Sequence, residues 1–354
     1  MIVNQWLPAA HRGDAVGDSA RVMRDLFRDW GHDSDIYALT MDEGLEGDVL
    51  PWTDSSSRRG DVTILHFAIP SPMTAAFRML PGARVLQYHN VTPAHFFAPF
   101  DEGICRITAI GRRELATLFD RTDLALGDSE FNRRELEALK FPRTGVLPII
   151  VNTARLTGAA PVPALESILA DGFPNILFVG RIAPNKKIED HLRLAEFFKR
   201  YVSGEYRFIF VGKTDAVPRY GATIRALVRE YDMLPERFLF AGPVPDDELA
   251  AYYRHAHAYV SLSEHEGFCV PLVEAMAMDV PILAYAAAAV PETLGGAGVS
   301  FAPKDLEQAA ELLGALIYDE PLRQQVIAGQ RRRLLDFGRD RIEPQVRAML
   351  DAVA

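Results

Sequence analysis

The chain is predicted to fold as two successive α/β domains, each built on a parallel, doubly wound sheet. Three observations favour this fold class. Short apolar runs alternate with amphipathic stretches along almost the whole length, as they do in βαβ units. A stretch that is poor in charged residues interrupts this alternation near the middle. At 354 residues the chain is also long enough for two hydrophobic cores of ordinary size.

In the first half, the apolar runs predict strands and the amphipathic runs between them predict helices. The predicted strands are "MIVNQWL", "SDIYAL", "VTILHF", "RVLQYH" and "LALGDS", and the predicted helices include "SARVMRDLFRDWG" and "NRRELEALK". The segment "ICRITAI" is apolar but more helical in its context. The proline-containing stretch "VLPIIVNTARLTGAAPVPAL" predicts a linker, so we place the first domain at residues 1–150.

The second half repeats the alternation and predicts a second domain at residues 151–339. Its predicted strands are "NILFVGR", "YRFIFVG", "RFLFAG", "AYVSLS" and "VPILAY", and its helices are "KIEDHLRLAEFFKRYV", "GATIRALVREYDML" and "DDELAAYYRHA". A last helix, at about 340–354, is expected after this domain, and packing back on the first domain is one arrangement open to it. Two sheets of this kind, facing each other across a cleft, would place a ligand at the carboxyl ends of their strands.

Composition excludes several classes of protein. With 48 acidic and 38 basic residues the formal net charge is -10, which argues against broad nucleic-acid binding. The two cysteines, Cys105 and Cys269, have no zinc-site spacing and suit a reducing compartment. No signal peptide is evident, and the apolar run "VPILAYAAAAVP" is shorter than the roughly 20 residues that span a bilayer. We expect a cytoplasmic protein, with peripheral contact at the inner face of the membrane left open.

The stretch "SEHEGFCVPLVEAM" carries Glu266 and Glu274 at the two ends of a largely apolar run. A carboxylate among buried apolar groups is costly unless a partner hydrogen-bonds it. Either both are surface residues at a turn, or both face a ligand. Pro271 suits the first turn of a helix that carries Glu274, and the N–H groups at such a helix start suit an anion. His265, in the same turn, is expected to be solvated.

A second strand end carries two cations. Arg181 follows the apolar run "NILFVG", and Lys186 comes five residues later, before the next predicted helix. An arginine fork and a lysine point charge at a helix start can together enclose a diphosphate. The neighbouring Lys187 is expected to face solvent. This pattern favours a phosphate site.

Taken together, "VGRIAPNKK", "EGFCVPLVEAMAMDVPILA" and "VPETLGGAG" resemble the family 4 retaining glycosyltransferases, which have the GT-B fold. The Glu266–Glu274 spacing matches that family's E-x7-E motif. The resemblance implies that Arg181 and Lys186 hold the donor diphosphate, that Glu274 holds the ribose hydroxyls and that Glu266 holds the transferred sugar. It also implies that main-chain groups approach the sugar and phosphate at three positions: Gly267, Phe268 and Cys269.

Weaker resemblance covers the first half, through "GDAVGDSARVMRDLFRDWGH", "QYHNVTP" and "ALGDSEFNRREL". It implies that a glycine loop, Gly13 to Gly17, closes over the donor and that His89 contacts the donor sugar. His66 is a second strand-end histidine of the same kind. The family often has glycine at three positions where this chain differs: Asp18, Cys269 and Asp279.

The motif Asp33-Ser34-Asp35 mimics the metal-binding DxD of the other glycosyltransferase fold. Capping and turn roles between Gly31 and the next strand suffice to explain it. We therefore expect no metal and no cofactor.

The sequence thus predicts a retaining hexosyltransferase, with mannose or glucose as the hexose and a GDP- or UDP-sugar as donor. The acceptor would be a glycan or a lipid-linked molecule of polysaccharide, O-antigen or glycolipid biosynthesis. Four residues are assigned to catalysis: His89, Arg181, Lys186 and Glu266. The alternative is a catalytically silent nucleotide-sugar-binding subunit of a polysaccharide assembly complex. A nicotinamide dehydrogenase is disfavoured because no GxGxxG follows a strand.

Aromatic residues cluster in "NVTPAHFFAPFDEG", after the strand that ends at His89. Phe96, Phe97 and Phe100 would form an acceptor platform or a shallow membrane contact. The alternative is that these rings fill the core of the first domain.

Overall fold

The computed structural model describes residues 1–11, 13–231 and 235–353. The chain divides into two compact units. The first consists of Met1–His95, Gly103–Asn152 and the chain from Asp336 onward, and the second consists of Phe96–Glu102 and Thr153–Leu335. The chain leaves the first unit after Asn152 and returns to it from Asp336 for the last helix.

The first unit contains a seven-stranded sheet in which every pair of neighbouring strands is parallel. Its strands are β1 (Ile2–Ala10), β2 (Asp33–Met41), β3 (Leu50–Pro51), β4 (Val62–Phe67), β5 (Ala83–Tyr88), β6 (Leu124–Gly127) and β7 (Thr144–Val146). The helices are α1 (Ala15–Asp29), α2 (Pro72–Phe77), α3 (Glu102–Ala116), α4 (Glu130–Ala138) and α14 (Arg339–Asp351). The strand order is β3-β2-β1-β4-β5-β6-β7.

The second unit contains a six-stranded parallel sheet with the order β10-β9-β8-β11-β12-β13. Its strands are β8 (Asn175–Val179), β9 (Arg207–Val211), β10 (Phe238–Gly242), β11 (Ala258–Ser261), β12 (Ile282–Tyr285) and β13 (Val299–Phe301). Its helices are α5 (Ala154–Thr157), α6 (Pro163–Leu169), α7 (Ile188–Tyr201), α8 (Pro218–Glu230), α9 (Asp246–Arg254), α10 (Val270–Ala277), α11 (Val290–Leu294), α12 (Leu306–Tyr318) and α13 (Glu320–Leu334).

The last helix completes the core of the first unit. Ile342, Val346 and Leu350 of α14 are buried in one apolar cluster with Val3 of β1 and Val85 of β5. These α14 positions recur every four residues, which places them on one face of the helix. Burial of that face in the first sheet's core explains why the chain returns to the first unit after the second is complete.

The core of the second unit is rich in stacked phenyl rings. Phe210 of β9 stacks on Phe240 of β10, with ring centroids 4.8 Å apart, and Phe208 stacks on Phe238 at 5.8 Å. Side chains at matching positions of adjacent parallel strands lie side by side, which puts these rings in rows. The packed rows lie across the neighbouring strands β9 and β10.

The described part of the chain contains every strand that the apolar runs predict, and it corrects the reading of several shorter segments. The predicted linker contains the helix α5 and the start of α6. The strands β3, β7 and β13 were not predicted, because two or three residues give no recognisable alternation. The predicted helix in residues 221–234 corresponds to α8, but its positions 232–234 lie outside the described residues.

Candidate functional site

The candidate site lies at the carboxyl ends of β8 and β11, which are neighbours in the second sheet. The chain leaves β8 toward β9 on one side and leaves β11 toward β12 on the other. Loops that diverge in this way open a crevice, and ligands of doubly wound sheets bind at such a point. The two motifs singled out in the sequence are the loops that follow these two strands.

The loop after β8 begins at a close approach of two backbones. Gly180 donates its N–H to Val211 O at 2.8 Å, and a Cβ placed on Gly212 would lie 2.3 Å from Gly180 O. Only glycine fits at position 212, where φ is 133°. Arg181 follows directly and is exposed, and no hydrogen bond or ion pair of its side chain occurs within the described ranges. Its guanidinium is therefore available to an anion.

Asn185 joins the loop after β8 to the loop after β11. Its side-chain amide donates to His265 O at 3.0 Å, and its own carbonyl accepts from Glu264 N at 2.9 Å. These bonds bring Lys186 to Glu266, where Lys186 Nζ lies 2.5 Å from Glu266 Oε1. The tertiary structure thus pairs a cation and a carboxylate that lie 80 residues apart in the sequence.

Two neighbours differ from the sequence expectation. His265 is buried, with 7% of its surface exposed, whereas the turn sequence predicted a solvated side chain. Lys187 was predicted to face solvent, but its Nζ lies 3.3 Å from Glu264 and 3.7 Å from Glu189. Both corrections have one cause. The two loops pack against each other, which a single strand-loop-helix segment cannot reveal.

Both carboxylates of the E-x7-E pair are buried, with 8% of Glu266 and 3% of Glu274 exposed. This excludes the alternative in which both are surface residues at a turn. The loop between them is fixed by α11, because Thr293 Oγ1 donates to Phe268 O and Ala289 N donates to Glu266 O at 3.3 Å. Each carboxylate has a cationic partner, as burial of a charge requires.

Glu274 lies on α10, within the helix that Pro271 helps to start, as the sequence predicted. Its Oε2 accepts from Tyr253 OH at 2.9 Å, and its Oε1 accepts from Arg155 Nη2. Burial raises the pKa of the Glu274 carboxyl, and Arg155 and Tyr253 offset this only in part. Sequence reasoning missed Arg155. It is the only charged residue of "VLPIIVNTARLTGAAPVPAL". A lone charge in such a stretch was the signal that could have indicated a buried partner.

Cys269 precedes α10 with φ at 72°, a conformation that glycine adopts more easily. Glycine is the residue that the family often has here. The thiol is buried, and desolvation together with the charge of Glu266 raises its pKa well above the ordinary value. The thiol therefore stays protonated near neutral pH and is a poor nucleophile. Next to it, Gly267 is half-buried and Phe268 buried in the same loop.

In the first unit, polar side chains at the carboxyl edge form one buried hydrogen-bonded network. Gln5 donates its amide to Ala20 O at 2.8 Å, which turns its carbonyl toward His66 Nε2 at 3.0 Å. His66 Nε2 must therefore donate, and His66 Nδ1 accepts from His89 Nε2 at 2.8 Å. Burial, together with the neighbouring His89, lowers the pKa of His66 well below its ordinary value, which fits a neutral ring.

The other ring nitrogen of His89 is engaged as well. His89 Nδ1 lies 2.9 Å from Asp128 Oδ2, and Asp128 Oδ1 accepts from Gln87 Nε2 at 2.8 Å. The side chain of His89 is only 3% exposed. The resemblance assigned His89 to the donor sugar. The structure places both of its ring nitrogens within the network, through a partner, Asp128, that the sequence did not single out. The contact of His89 with the donor sugar stays a prediction.

The predicted glycine loop, Gly13 to Gly17, differs from expectation because α1 begins earlier than predicted. Asp14 caps this helix and accepts from Gly17 N at 3.3 Å, so Gly17 lies in the first helical turn. Gly13 alone is in the turn, with φ at 70°, and it is exposed. Asp18, at a family glycine position, forms an ion pair with Arg21 at 2.9 Å.

The Asp33-Ser34-Asp35 motif forms the start of β2 and not a turn or a cap. Asp35 pairs with Arg28 at 2.8 Å, and Asp33 lies opposite Ile2 in the sheet register. Among the residues that the structure describes, no group of three or more His, Cys, Asp or Glu side chains is placed to hold a metal ion. Within the same residues, no helix is both long and apolar enough to cross a bilayer.

The aromatic segment Phe96–Glu102 belongs to the second unit, although the sequence assigned it to the first domain. The ring of Phe96 packs on His265 at 6.0 Å, and the ring of Phe100 packs edge-on against Tyr220 at 5.1 Å. Phe97 is buried, with 6% exposed. The segment lies in the second unit, so its rings do not fill the first domain's core, and Phe96 and Phe100 are half-buried. The acceptor platform stays a prediction.

Comparison with solved structures places the fold in a known class. A glycosyltransferase from Rickettsia africae matches 99% of this chain and 98% of its own, with a TM-score of 0.72 and 14% identity. Two parallel α/β units of this kind define the GT-B glycosyltransferase fold, as the sequence predicted. Residues 166–333 also match the model of the family described as Glycosyl transferases group 1. The match covers slightly less than half of the chain, and it confirms the predicted resemblance to glycosyltransferases.

Two curated relatives are named as mannosyltransferases. The GDP-mannose-dependent alpha-mannosyltransferase of Mycolicibacterium smegmatis is 33% identical over 234 residues, covering 63% of this chain and 56% of that protein. The serotype-specific mannosyltransferase WbdA of Escherichia coli is 27% identical over 145 residues, covering 41% of this chain and 18% of that protein. The chain thus spans less than two thirds of the length of either relative.

Proposed function

We propose that this chain is a retaining hexosyltransferase that moves a sugar from a nucleotide diphosphate sugar to an acceptor hydroxyl. One observation carries the proposal. Arg181, Lys186, Glu266 and Glu274 converge on the carboxyl ends of β8 and β11 within the group 1 glycosyl transferase domain. Cations for a diphosphate and carboxylates for sugar hydroxyls are the groups that such a donor requires.

Departure of the nucleoside diphosphate builds negative charge on its phosphate oxygens. Arg181 is exposed beside this position, and Lys186 is held there by its contact with Glu266. An arriving diphosphate competes with Glu266 for the ammonium group of Lys186. Glu266 then has an oxygen available for a hydroxyl of the transferred sugar, and the fixed cations stabilise the developing charge.

Retention of configuration follows from attack on the face that the diphosphate leaves. In this mechanism a phosphate oxygen of the leaving group accepts the proton of the acceptor hydroxyl. The raised pKa of Cys269 argues against a thiolate nucleophile in the crevice. Because the arginine and lysine supply the positive charge, we propose that the reaction needs no metal ion.

GDP-mannose is the first donor to test, because both relatives described above are named as mannosyltransferases. UDP-glucose is the second, since the cations address the diphosphate that both donors share. The acceptor would be a glycan or a lipid-linked molecule of polysaccharide, O-antigen or glycolipid biosynthesis. We place the reaction in the cytoplasm, with the acceptor presented at the inner face of the membrane.

The test combines donor binding with donor hydrolysis, both in the presence of EDTA. A ligand at about 100 times its Kd stabilises a folded protein by about 2.7 kcal/mol, which raises the melting temperature measurably. We expect such a rise with GDP-mannose or UDP-glucose, together with slow release of GDP or UDP. The variant Glu274→Gln, which keeps the side-chain volume, should reduce both effects sharply and retain the wild-type circular dichroism spectrum.

Each part of the proposal has its own contrary result. Absence of stabilisation by every nucleotide sugar would reject donor binding. Stabilisation without hydrolysis or transfer to any acceptor would favour the silent-subunit alternative. Activity that disappears in EDTA and returns with a divalent cation would reject the metal-independent mechanism.

A further inference from the structure

Arg155 holds one carboxylate of the candidate site from a segment that is remote in sequence. It lies on the short helix α5, whose Leu156 is fully buried and fixes that helix in the second unit. Its guanidinium donates through Nη2 to Glu274 Oε1 and through Nη1 to Asp246 Oδ1. The side chain is 20% exposed, so the ion pair is mostly removed from water. One planar group thus bridges α5, α9 and α10.

Apart from Arg155 and the hydrogen bond from Tyr253, the surroundings of Glu274 disfavour its charged form. Burial raises the pKa of its carboxyl, and the negative charge of Asp246 raises it further. Tyr253 donates a hydrogen bond from α9, and Tyr259 of β11 and Cys269 lie close enough to interact electrostatically with Glu274. The hydroxyl and the thiol are neutral. Arg155 is therefore the cation among these groups that opposes protonation of the carboxylate.

The two bonds leave the carboxylate with spare capacity. Each oxygen of a carboxylate accepts about two hydrogen bonds. Arg155 uses one site on Oε1, and Tyr253 uses one site on Oε2. One further site remains on each oxygen, in a group whose plane is fixed by donors on both sides. That arrangement suits two neighbouring hydroxyl groups of one ligand.

We propose that Arg155 is a positioning residue that holds Glu274 anionic and oriented to accept hydrogen bonds from the two ribose hydroxyls of a nucleotide sugar. This inference rests on the proposed function. It adds a requirement for a residue that does not itself touch the donor. The requirement predicts a particular pH dependence, because a protonated carboxyl group has a donor on one oxygen and only the ionised carboxylate is acceptor-only on both oxygens.

The test compares Arg155→Met and Arg155→Lys with the wild type in calorimetric titrations with GDP-mannose and UDP-glucose between pH 5 and 9. Protonation of Glu274 would deprive the donor of a hydrogen bond to a charged group, which weakens binding by about tenfold, and we expect this loss for Arg155→Met at pH 7. The loss should shrink as pH rises, because Glu274 ionises at high pH even without the cation. Arg155→Lys, which keeps the charge, should recover most of the affinity.

Arg254 supplies the matched control. It lies on α9, forms an ion pair with Glu166 at 2.6 Å and has 28% of its side chain exposed. Arg254→Met and Arg254→Lys should bind donors with wild-type affinity and pH profile. An equal loss at every pH in Arg155→Met, or a profile that matches the wild type, would overturn the positioning role.

A second measurement does not depend on any donor. Carbon-13 NMR titration of the Glu274 carboxyl should show its midpoint at higher pH in Arg155→Met than in the wild type, with Arg155→Lys between them. If Arg155→Met does not fold, Arg155→Lys and Tyr253→Phe replace it, because each weakens one of the two donors to the Glu274 carboxylate. An unchanged titration midpoint in both variants rejects the inference. Failure of wild-type protein to bind nucleotide sugars would reject the proposed function, while the NMR result stands separately.

Discussion

Both sheets carry polar side chains at the carboxyl ends of neighbouring strands, but the two sets differ in what their polar atoms contact. In the second unit, Arg181 is exposed and Lys186 keeps 19% of its side chain in contact with solvent. In the first unit, His66 is fully buried and the side chain of His89 is 3% exposed. Their ring nitrogens are hydrogen-bonded to each other and to neighbouring side chains.

This difference in solvent contact distinguishes groups that can bind a ligand from groups that stabilise the fold. A cation in contact with water exchanges solvent for a phosphate oxygen at little cost. A buried group whose hydrogen bonds are complete can bind a ligand only by breaking a bond it already makes. Substitutions in the second unit's loops should therefore reduce affinity, and substitutions in the first unit's network should reduce stability.

The largest effect is expected from Asp128→Ala. It leaves Gln87 Nε2 and His89 Nδ1 without the carboxylate that now bonds both. Loss of one partner from a buried charge-assisted network costs about 3 kcal/mol. Denaturant titration should show this fall in the free energy of unfolding.

Asp128→Asn is the matched control. An asparagine can still accept from Gln87 and can donate to His89, so it should cost less than about 1 kcal/mol. Equal losses in the two variants would mean that shape, and not hydrogen bonding, matters at this position. Weakened donor binding in Asp128→Asn with unchanged stability would support the predicted contact of His89 with the donor sugar.

An intermediate effect is expected from Arg181→Met. Loss of the guanidinium should weaken GDP or UDP binding by about tenfold, or about 1.4 kcal/mol, and leave the melting temperature unchanged. Guanosine or uridine binding should not change. Lys199→Met, at the opposite end of α7, is the control and should bind like the wild type. Equal losses of affinity for the nucleotide and the nucleoside would mean that the diphosphate binds elsewhere.

The smallest effect is expected from Phe96→Ser. The ring of Phe96 packs on His265 beside Glu266, and such a contact is worth about 1 kcal/mol. We expect a slightly lower melting temperature and no change in the acceptor KM. The exposed Phe119, replaced in the same way, should leave stability unchanged. A raised acceptor KM with unaltered stability in Phe96→Ser would support the acceptor-platform hypothesis.

The sequence predicted the long strands because four or more apolar residues between turn signals are recognisable without any contact information. It missed β3 and β13, which are two and three residues long and exist only because a neighbouring strand pairs with them. It also treated α5 as part of a linker, since four residues carry no helical period. Arg155 was missed for the same reason.

The sequence predicted a site at four residues, because charged residues at the ends of apolar runs need a partner or a ligand. They are Arg181, Lys186, Glu266 and Glu274. Their partners were not identified. The contact of Lys186 with Glu266 depends on Asn185, which joins loops from two strands. His265 was expected in solvent because the sequence does not show that these two loops pack together.

The sequence by itself determined the class of fold, the strand ends that carry charge and the family resemblance, because these depend on local periodicity and residue order. Tertiary structure alone decided which strands became neighbours, and so brought the loops after β8 and β11 to one crevice. It also enclosed His66 and His89 in a network with Asp128, and it gave Glu274 its cation from Arg155. These contacts join residues tens of positions apart, and no local pattern specifies them.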